Sequence, residues 1–185
     1  GKNKDGQFQS PFNPLKWGDA FTEGNSWHYT WSVLHDPQGL IDLMGGQQGF
    51  NQMMDSVFIL PPVFDDSYYG GVIHEIREMQ IMNMGQYAHG NQPIQHMLYL
   101  YNYSGQPWKA QHWIREVMDN LSTPNPDASC GDEDNGQTQA WIVVYAMGFY
   151  PVSPRTDQSV MVTPHFTPQQ LHQKTGKPFH HTATA

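Results

Sequence analysis

The chain has 185 residues, a formal net charge of -8 and nine Lys and Arg in total, which excludes a nucleic-acid backbone as partner, because phosphate binding needs clustered cations. Charged residues make up 14%, against a usual share of about 25%, and Gly, Asn, Gln, Pro, aromatics and Met fill the difference. Such a surface offers neutral hydrogen-bonding groups and rings, which is what sugars bind.

The length suits one domain with a real core. The single Cys130 rules out an intramolecular disulfide and leaves the redox compartment open. No apolar run reaches the roughly 20 residues that span a bilayer, and the polar start Gly1-Lys2-Asn3-Lys4-Asp5 is no signal peptide, so an export signal is expected outside this chain.

Residues 1–24 are polar and broken by Pro11, Pro14 and Gly18, which predicts a loop carrying Glu23. Rings recur at Trp27, Tyr29 and Trp31, after which Asp36-Pro37 starts a helix through Leu40, Ile41, Leu43 and Met44 that Gly45-Gly46 ends. Residues 47–58 read as a further short helix stopped by Pro61-Pro62. Helical spacing returns over 74–84, and again over 93–103 with Pro93 in the first turn and Gly105 just past the end. The clearest amphipathic helix is 107–121, with Trp113, Ile114, Val117 and Leu121 as its apolar stripe. A Pro- and Asp-rich loop over 122–135 leads to a buried helix at 136–147 that Gly148 ends, then a strand at 158–163 and a polar tail. Helices of about 10 to 15 residues separated by acid-bearing loops predict a helical bundle or barrel with its chemistry at the loop ends.

Three places hold carboxylates among Gly, Asn and aromatics: Glu23, the pair His74-Glu75, and the run Asp132-Glu133-Asp134 between Gly131 and Gly136. Like charges at adjacent positions repel, so a fold that gathers them needs a cation, a shared proton or a substrate. Glycoside hydrolysis needs one protonated and one ionised carboxyl on opposite sides of a sugar, and Glu23 against Asp132 or Asp134 supplies such a pair. The bland alternative is a helix-start Glu23 and a solvated acidic turn. His74-Glu75-Ile76-Arg77-Glu78 lacks the second histidine of a zinc-protease helix, which leaves a charged helix face. The ten histidines are scattered, and oxygen donors in the acidic loop and in Gln86, Asn91 and Gln92 suit Ca²⁺ better than Zn²⁺. At His89-Gly90-Asn91-Gln92-Pro93 an N-cap explains Asn91 alone and not the gathering of His, Gly and Gln. Trp27, Trp31, Trp108 and Trp141 are read as core before sugar platforms. The sequons at Asn102 and Asn120 are read as chance.

Six motifs in order carry a resemblance: Glu23-Gly24-Asn25 with Trp27, Tyr29, Thr30 and Trp31; His35-Asp36 with Gln38-Gly39-Leu40; Gly85-Gln86-Tyr87-Ala88-His89-Gly90-Asn91-Gln92-Pro93; Tyr99-Leu100-Tyr101-Asn102-Tyr103 with Gly105-Gln106-Pro107-Trp108-Lys109; Gly131-Asp132-Glu133-Asp134-Asn135-Gly136-Gln137; and Ala146-Met147-Gly148-Phe149-Tyr150-Pro151-Val152. Over about residues 17–164 the chain resembles glycoside hydrolase family 92, the calcium-dependent exo-acting α-mannosidases. The resemblance implies an all-α fold, part of an (α/α)6 barrel with a short β segment near the C-terminus. Residues 1–164 would be the C-terminal portion of the catalytic domain, and 165–185 a polar tail or a terminal β-strand pair. It implies inversion at the anomeric carbon and a Ca²⁺ ion that engages mannose hydroxyls and helps distort the ring. On matching positions Glu23 is the general acid, Asp132 and Asp134 are the base carboxylates, and His74-Glu75 resembles the pair that contacts the leaving sugar in members cleaving α-1,2 linkages. His89, Asn91 and Gln92 join the substrate-binding set, and Asp134 with Gln92 is the expected metal pair.

Gln92 stands where many relatives carry Glu, which keeps an oxygen donor and removes a charge. Family members are several times longer, so an N-terminal β-sandwich and the other half of the barrel are expected in the same protein, secreted or periplasmic. The implied activity is exo-α-1,2-mannosidase action on mannose-rich glycans. The rival expectation is a non-catalytic carbohydrate-binding or scaffold fragment.

Overall fold

The computed structural model describes residues 2–123, 125, 129–166, 169–172 and 174–181. Positions 124 and 126–128 of the expected 122–135 loop, and 167, 168, 173 and 182–185 of the expected tail, lie outside the described residues. Asn25 opens the short helix α1 (Ser26–Tyr29) with a capping box: its side chain accepts from Trp27 N-H at 2.9 Å, and His28 Nδ1 accepts from Asn25 N-H at 3.2 Å. Asp36 caps α2 (Pro37–Leu43) by accepting from Gly39 N-H at 2.9 Å. Then follow α3 (Gly46–Ile59) and α4 (His74–Met82), the latter ended by Asn83 in the left-handed region.

The expected helix at 93–103 forms as a 3-10 helix over Gln92–Asn102, with i to i+3 bonds at both ends: Ile94 N-H donates to Asn91 O at 3.3 Å and Tyr103 N-H to Leu100 O at 3.0 Å. All residues from Ile94 to Tyr101 are buried, because the segment packs against α1, α5 (Pro107–Leu121) and α6 (Gln137–Ala146) together. A segment wrapped on every side gains its stability from neighbours, so the poorer hydrogen bonding of the tight helix is tolerated. The stripe expected on α5 is present, with Ile114 and Val117 buried.

Two expectations about burial fail. Trp108 is 60% exposed, since it sits in the first turn of α5 away from the stripe, and α6 buries one face only, through Thr138, Trp141 and Tyr145. Past α6 a two-residue ladder pairs β1 (Phe149–Tyr150) with β2 (Val160–Met161), shorter than the strand expected at 158–163. β3 (Gln169–His172) and β4 (Pro178–His181) form an antiparallel hairpin with Gln169 opposite His181.

The main core gathers Trp31, Phe50, Met54, Tyr87, Leu98 and Trp141 around the 3-10 helix. A smaller cluster of Trp17, Ile76, Met79 and Ala88 fixes α4 against the loop that carries Glu23. No helix among the described residues is long and apolar enough to cross a membrane. Phe50 is wholly enclosed and meets Trp31 edge to face at 5.6 Å. Phe50→Ala in the complete protein is expected to cost about 3–5 kcal/mol, read as a lower urea midpoint for the unfolding step that includes this core.

Candidate active site

Gly24 is left-handed at φ +78°, and a Cβ there would meet His28 Nδ1 at 2.7 Å, so the peptide ahead of α1 folds back on the helix and holds Glu23 at its mouth. His28 is buried and neutral, its pKa pushed down to about 4 by desolvation. Its Nε2-H donates to Gln86 O at 3.0 Å, and Asn25 Nδ2 donates to Gln86 Oε1 at 3.3 Å. Gln86 Nε2 in turn donates to Pro61 O and Val63 O, each at 2.8 Å. The Glu23 loop is thus tied to the 85–92 segment. Two tyrosines flank it: the Tyr29 hydroxyl meets the Glu23 backbone, and Tyr69 Oη donates to Thr22 O at 3.5 Å.

The acidic loop reaches the same place from the far end of the chain. Gly131, Asp134, Asn135 and Gly136 are all left-handed, at φ +70°, +44°, +57° and +88°, which turns the run sharply into α6. Glu133 faces α6, where its Oε1 accepts from Gln139 N-H at 3.2 Å in the first turn of that helix. The Asp132 carbonyl accepts from Gln92 Nε2 at 2.8 Å and from Thr138 Oγ1 at 3.1 Å. Gln95 Nε2, buried, donates to His89 O at 3.0 Å and to Thr138 Oγ1 at 3.4 Å.

Helix α4 completes the group. His74 Nε2 lies 3.2 Å from Glu75 Oε1 and 3.5 Å from Asp132 Oδ2, and ligand atoms of these three residues all lie within 4.8 Å of one another. The carboxyl of Glu23 is pushed up to about 7, first by burial, then by a hydrogen bond to Glu75 and the charges of Glu75 and Asp134, with His74 acting in the opposite sense. Glu23, His74, Glu75, Asp132 and Asp134, spread over more than 100 positions of sequence, therefore meet in one place. Asn91 is 1% exposed with both amide atoms unpartnered, and its Nδ2 lies 3.3 Å from where a Gly24 Cβ would stand.

His89, expected among the sugar-binding residues, is enclosed. It is 2% exposed, its Nδ1 shares a 2.8 Å hydrogen bond with Tyr87 Oη, its ring meets Trp141 at 4.4 Å, and burial pushes its pKa down to about 3. It is a neutral member of the wall behind the site. Burial also pushes the Cys130 thiol up to about 12, which leaves no thiolate for nucleophilic chemistry. For a metal, the donor chemistry fits a hard cation: carboxylates dominate, and the buried Oε2 of Glu75 has no hydrogen-bond partner. The grouping of His74, Glu75 and Asp132 was missed in the sequence, where the expected metal pair is Asp134 and Gln92. The signal for it was the His74-Glu75 dipeptide, and nothing local paired it with a residue nearly 60 positions on.

The family model for the glycosyl hydrolase family 92 catalytic domain matches residues 1–185. Among solved structures, a family GH92 inverting mannosidase from Bacteroides thetaiotaomicron VPI-5482 is 52% identical with a TM-score of 0.79, covering 97% of this chain and 24% of that one. A family GH92 α-mannosidase from Bacteroides thetaiotaomicron, solved with mannoimidazole, is 33% identical with a TM-score of 0.82, covering 98% of this chain and 24% of that one. The chain thus spans about a quarter of the solved chains it matches, and its helices correspond to part of their (α/α)6 barrel. No curated protein matches the chain.

The charge crowding around Glu23 carries its own prediction. In metal-free protein the Glu23 carboxyl should titrate near 7, and Glu75→Gln, which removes a neighbouring negative charge, should bring that midpoint down toward the ordinary carboxylate range; carboxyl ¹³C NMR reads both. Because the folded-state value is raised, the protonated form stabilises the fold fully below about 4.5 and that stability is lost as pH rises through 7. A midpoint indifferent to Glu75→Gln would remove the proposed coupling.

Proposed function

Given that the chain belongs to glycosyl hydrolase family 92, we propose that it supplies the acid and base carboxylates of an inverting exo-α-1,2-mannosidase acting on mannose-rich glycans outside the cytoplasm, secreted or periplasmic. Glu23, protonated, donates to the glycosidic oxygen as the bond to the anomeric carbon breaks. Asp132 and Asp134 take a proton from a water that attacks the anomeric carbon from the opposite face, so one displacement inverts the configuration. The observation that carries this reading is the raised Glu23 carboxyl, held protonated by burial and Glu75, in one cluster with two acids of the 131–136 loop. Splitting a pair of carboxyls into one that keeps its proton and one that gives it up is what this hydrolysis asks for.

His74 and Glu75, joined at 3.2 Å, read the leaving sugar. Asn91 and Gln92 contact the bound mannose, Asn91 through amide atoms that otherwise lack partners. Asp134 and Gln92, with the carboxylates of the His74, Glu75 and Asp132 group, are the residues that would hold Ca²⁺. When bound, that ion supplies positive charge to the sugar hydroxyls and relieves the repulsion among the acids. The exposed apolar side chains Leu43, Ile59, Ile81 and Val143 suit contact with the rest of a barrel and its β-sandwich.

In the complete protein, Glu23→Gln should lower mannose release by about 10²–10⁴-fold while glycan binding, read by calorimetry, survives. Full turnover in that variant would remove the acid assignment, and binding without any wild-type turnover would favour the rival reading of a carbohydrate-binding fragment. Removal of divalent ions with EDTA should abolish release and added Ca²⁺ restore it; activity unchanged by the chelator would exclude the ion.

A further inference from the structure

The loop that carries Glu23 runs from Gly18 to Gly24 and closes on itself, Gly18 N-H donating to Gly24 O at 3.0 Å. One side chain touches the residues at both of its ends. The ring of His28, wholly buried, meets Trp17 edge to face with centroids 4.9 Å apart, and its Nδ1 accepts from Asn25 N-H at 3.2 Å. Its Nε2-H donates to Gln86 O at 3.0 Å, and Gln86 N-H donates to Val57 O at 2.7 Å, which roots the contact in the last turn of α3. Residues 61–65 back the same assembly: Pro61 O and Val63 O each hold the Gln86 amide at 2.8 Å, and Asp65 O accepts from Trp17 N-H at 2.9 Å. His28 has no exposed surface and enters no step of the reaction proposed above.

We propose that His28 is a positioning residue for the general acid: it joins both feet of the 18–24 loop to Gln86 and so fixes where the Glu23 carboxyl stands relative to the glycosidic oxygen. Both ring nitrogens are used, one as acceptor and one as donor, so a single neutral tautomer satisfies both contacts at once. Left-handed Gly24, lacking a Cβ, lets the peptide approach the ring this closely. The inference rests on the mannosidase reading, and within it the consequence depends on the leaving group. A displaced acid fails to protonate a departing sugar alkoxide, yet matters little where the departing anion is stable without a proton. Loss of His28 therefore slows cleavage of a mannosyl-mannose bond and spares that of 2,4-dinitrophenyl α-mannoside. A change that merely loosened the whole site would slow both alike.

The test uses the complete protein. His28→Phe keeps a ring against Trp17 and removes both hydrogen bonds, whereas His28→Gln restores a donor for Gln86 O. With α-1,2-linked mannobiose, kcat should fall about 30-fold in His28→Phe, with KM within about threefold, and should be at least about threefold higher in His28→Gln than in His28→Phe. With 2,4-dinitrophenyl α-mannoside, kcat should stay within about threefold of wild type in both. Hydrogen-exchange mass spectrometry should show residues 18–28 exchanging about tenfold faster in His28→Phe, with α5 unchanged as the internal reference. Equal losses on the two substrates would overturn the proposal, as would unchanged exchange over 18–28 in His28→Phe or a His28→Gln no faster than His28→Phe. Should His28→Phe fail to fold, Asn25→Ser weakens the same junction: it keeps an acceptor for Trp27 N-H and removes the Nδ2 donor to Gln86 Oε1. The same split between substrates is expected there, and its absence would overturn the proposal. A wild-type protein that releases no mannose would fail the mannosidase reading, while the exchange result would still decide whether His28 holds the loop.

Discussion

At Gly90 and Gly131 two stretches of backbone approach so closely that neither position has room for a side chain, and the candidate site depends on that approach. A Cβ on Gly131 would fall on the Gly90 carbonyl, at a residue already left-handed at φ +70°. Because the contact is backbone on backbone, it brings the acidic loop within reach of Gln92 on one side and of α4 on the other. Bulkier residues at either point would lift Asp132 and Asp134 away from Glu23. Two glycines that look like ordinary loop punctuation are therefore a point of close backbone approach.

Closing that junction has an electrostatic consequence. Glu23, Glu75, Glu78, Asp132 and Asp134 are gathered with one nearby histidine, His74, as the group's basic partner among the described residues. Repulsion of this kind is relieved by keeping a proton, by binding a cation, or by both. The Glu23 carboxyl, partly desolvated and beside Glu75, is the one pushed up to about 7, while Asp132 is 70% exposed beside His74. Environment thus raises the Glu23 carboxyl above the ordinary carboxylate range, and the mechanism proposed above uses that rise.

Much of this was legible in the sequence, and for physical reasons. Helix stops at Gly45, Gly105 and Gly148, starts at Asp36-Pro37 and Pro107, and the α5 stripe are local signals, and each falls within a few residues of the observed boundary. What periodicity missed depends on packing. The 3-10 geometry over Gln92–Asn102 follows from burial on all sides, which no single-helix pattern encodes. The exposure of Trp108 and the one-sided burial of α6 depend on which neighbours are present. At the site, Glu23, His74, Glu75, Asp132 and Asp134 stand out by composition and by resemblance, but the joining of His74 and Glu75 to Asp132 is a long-range contact that no spacing rule contains. The burial of His89, with its ring against Trp141 and its Nδ1 bonded to Tyr87, is likewise a product of packing that the motif around it does not encode.

In the proposed reaction a protonated Glu23 works across a sugar from the carboxylates of the 131–136 loop in a single displacement. The most direct measurement is ¹H NMR of the first product formed by the complete protein from an α-1,2-linked mannobiose. β-Mannose should appear first, with the α anomer growing in by mutarotation. α-Mannose as the first product would require a covalent intermediate on one of these carboxylates and would contradict it.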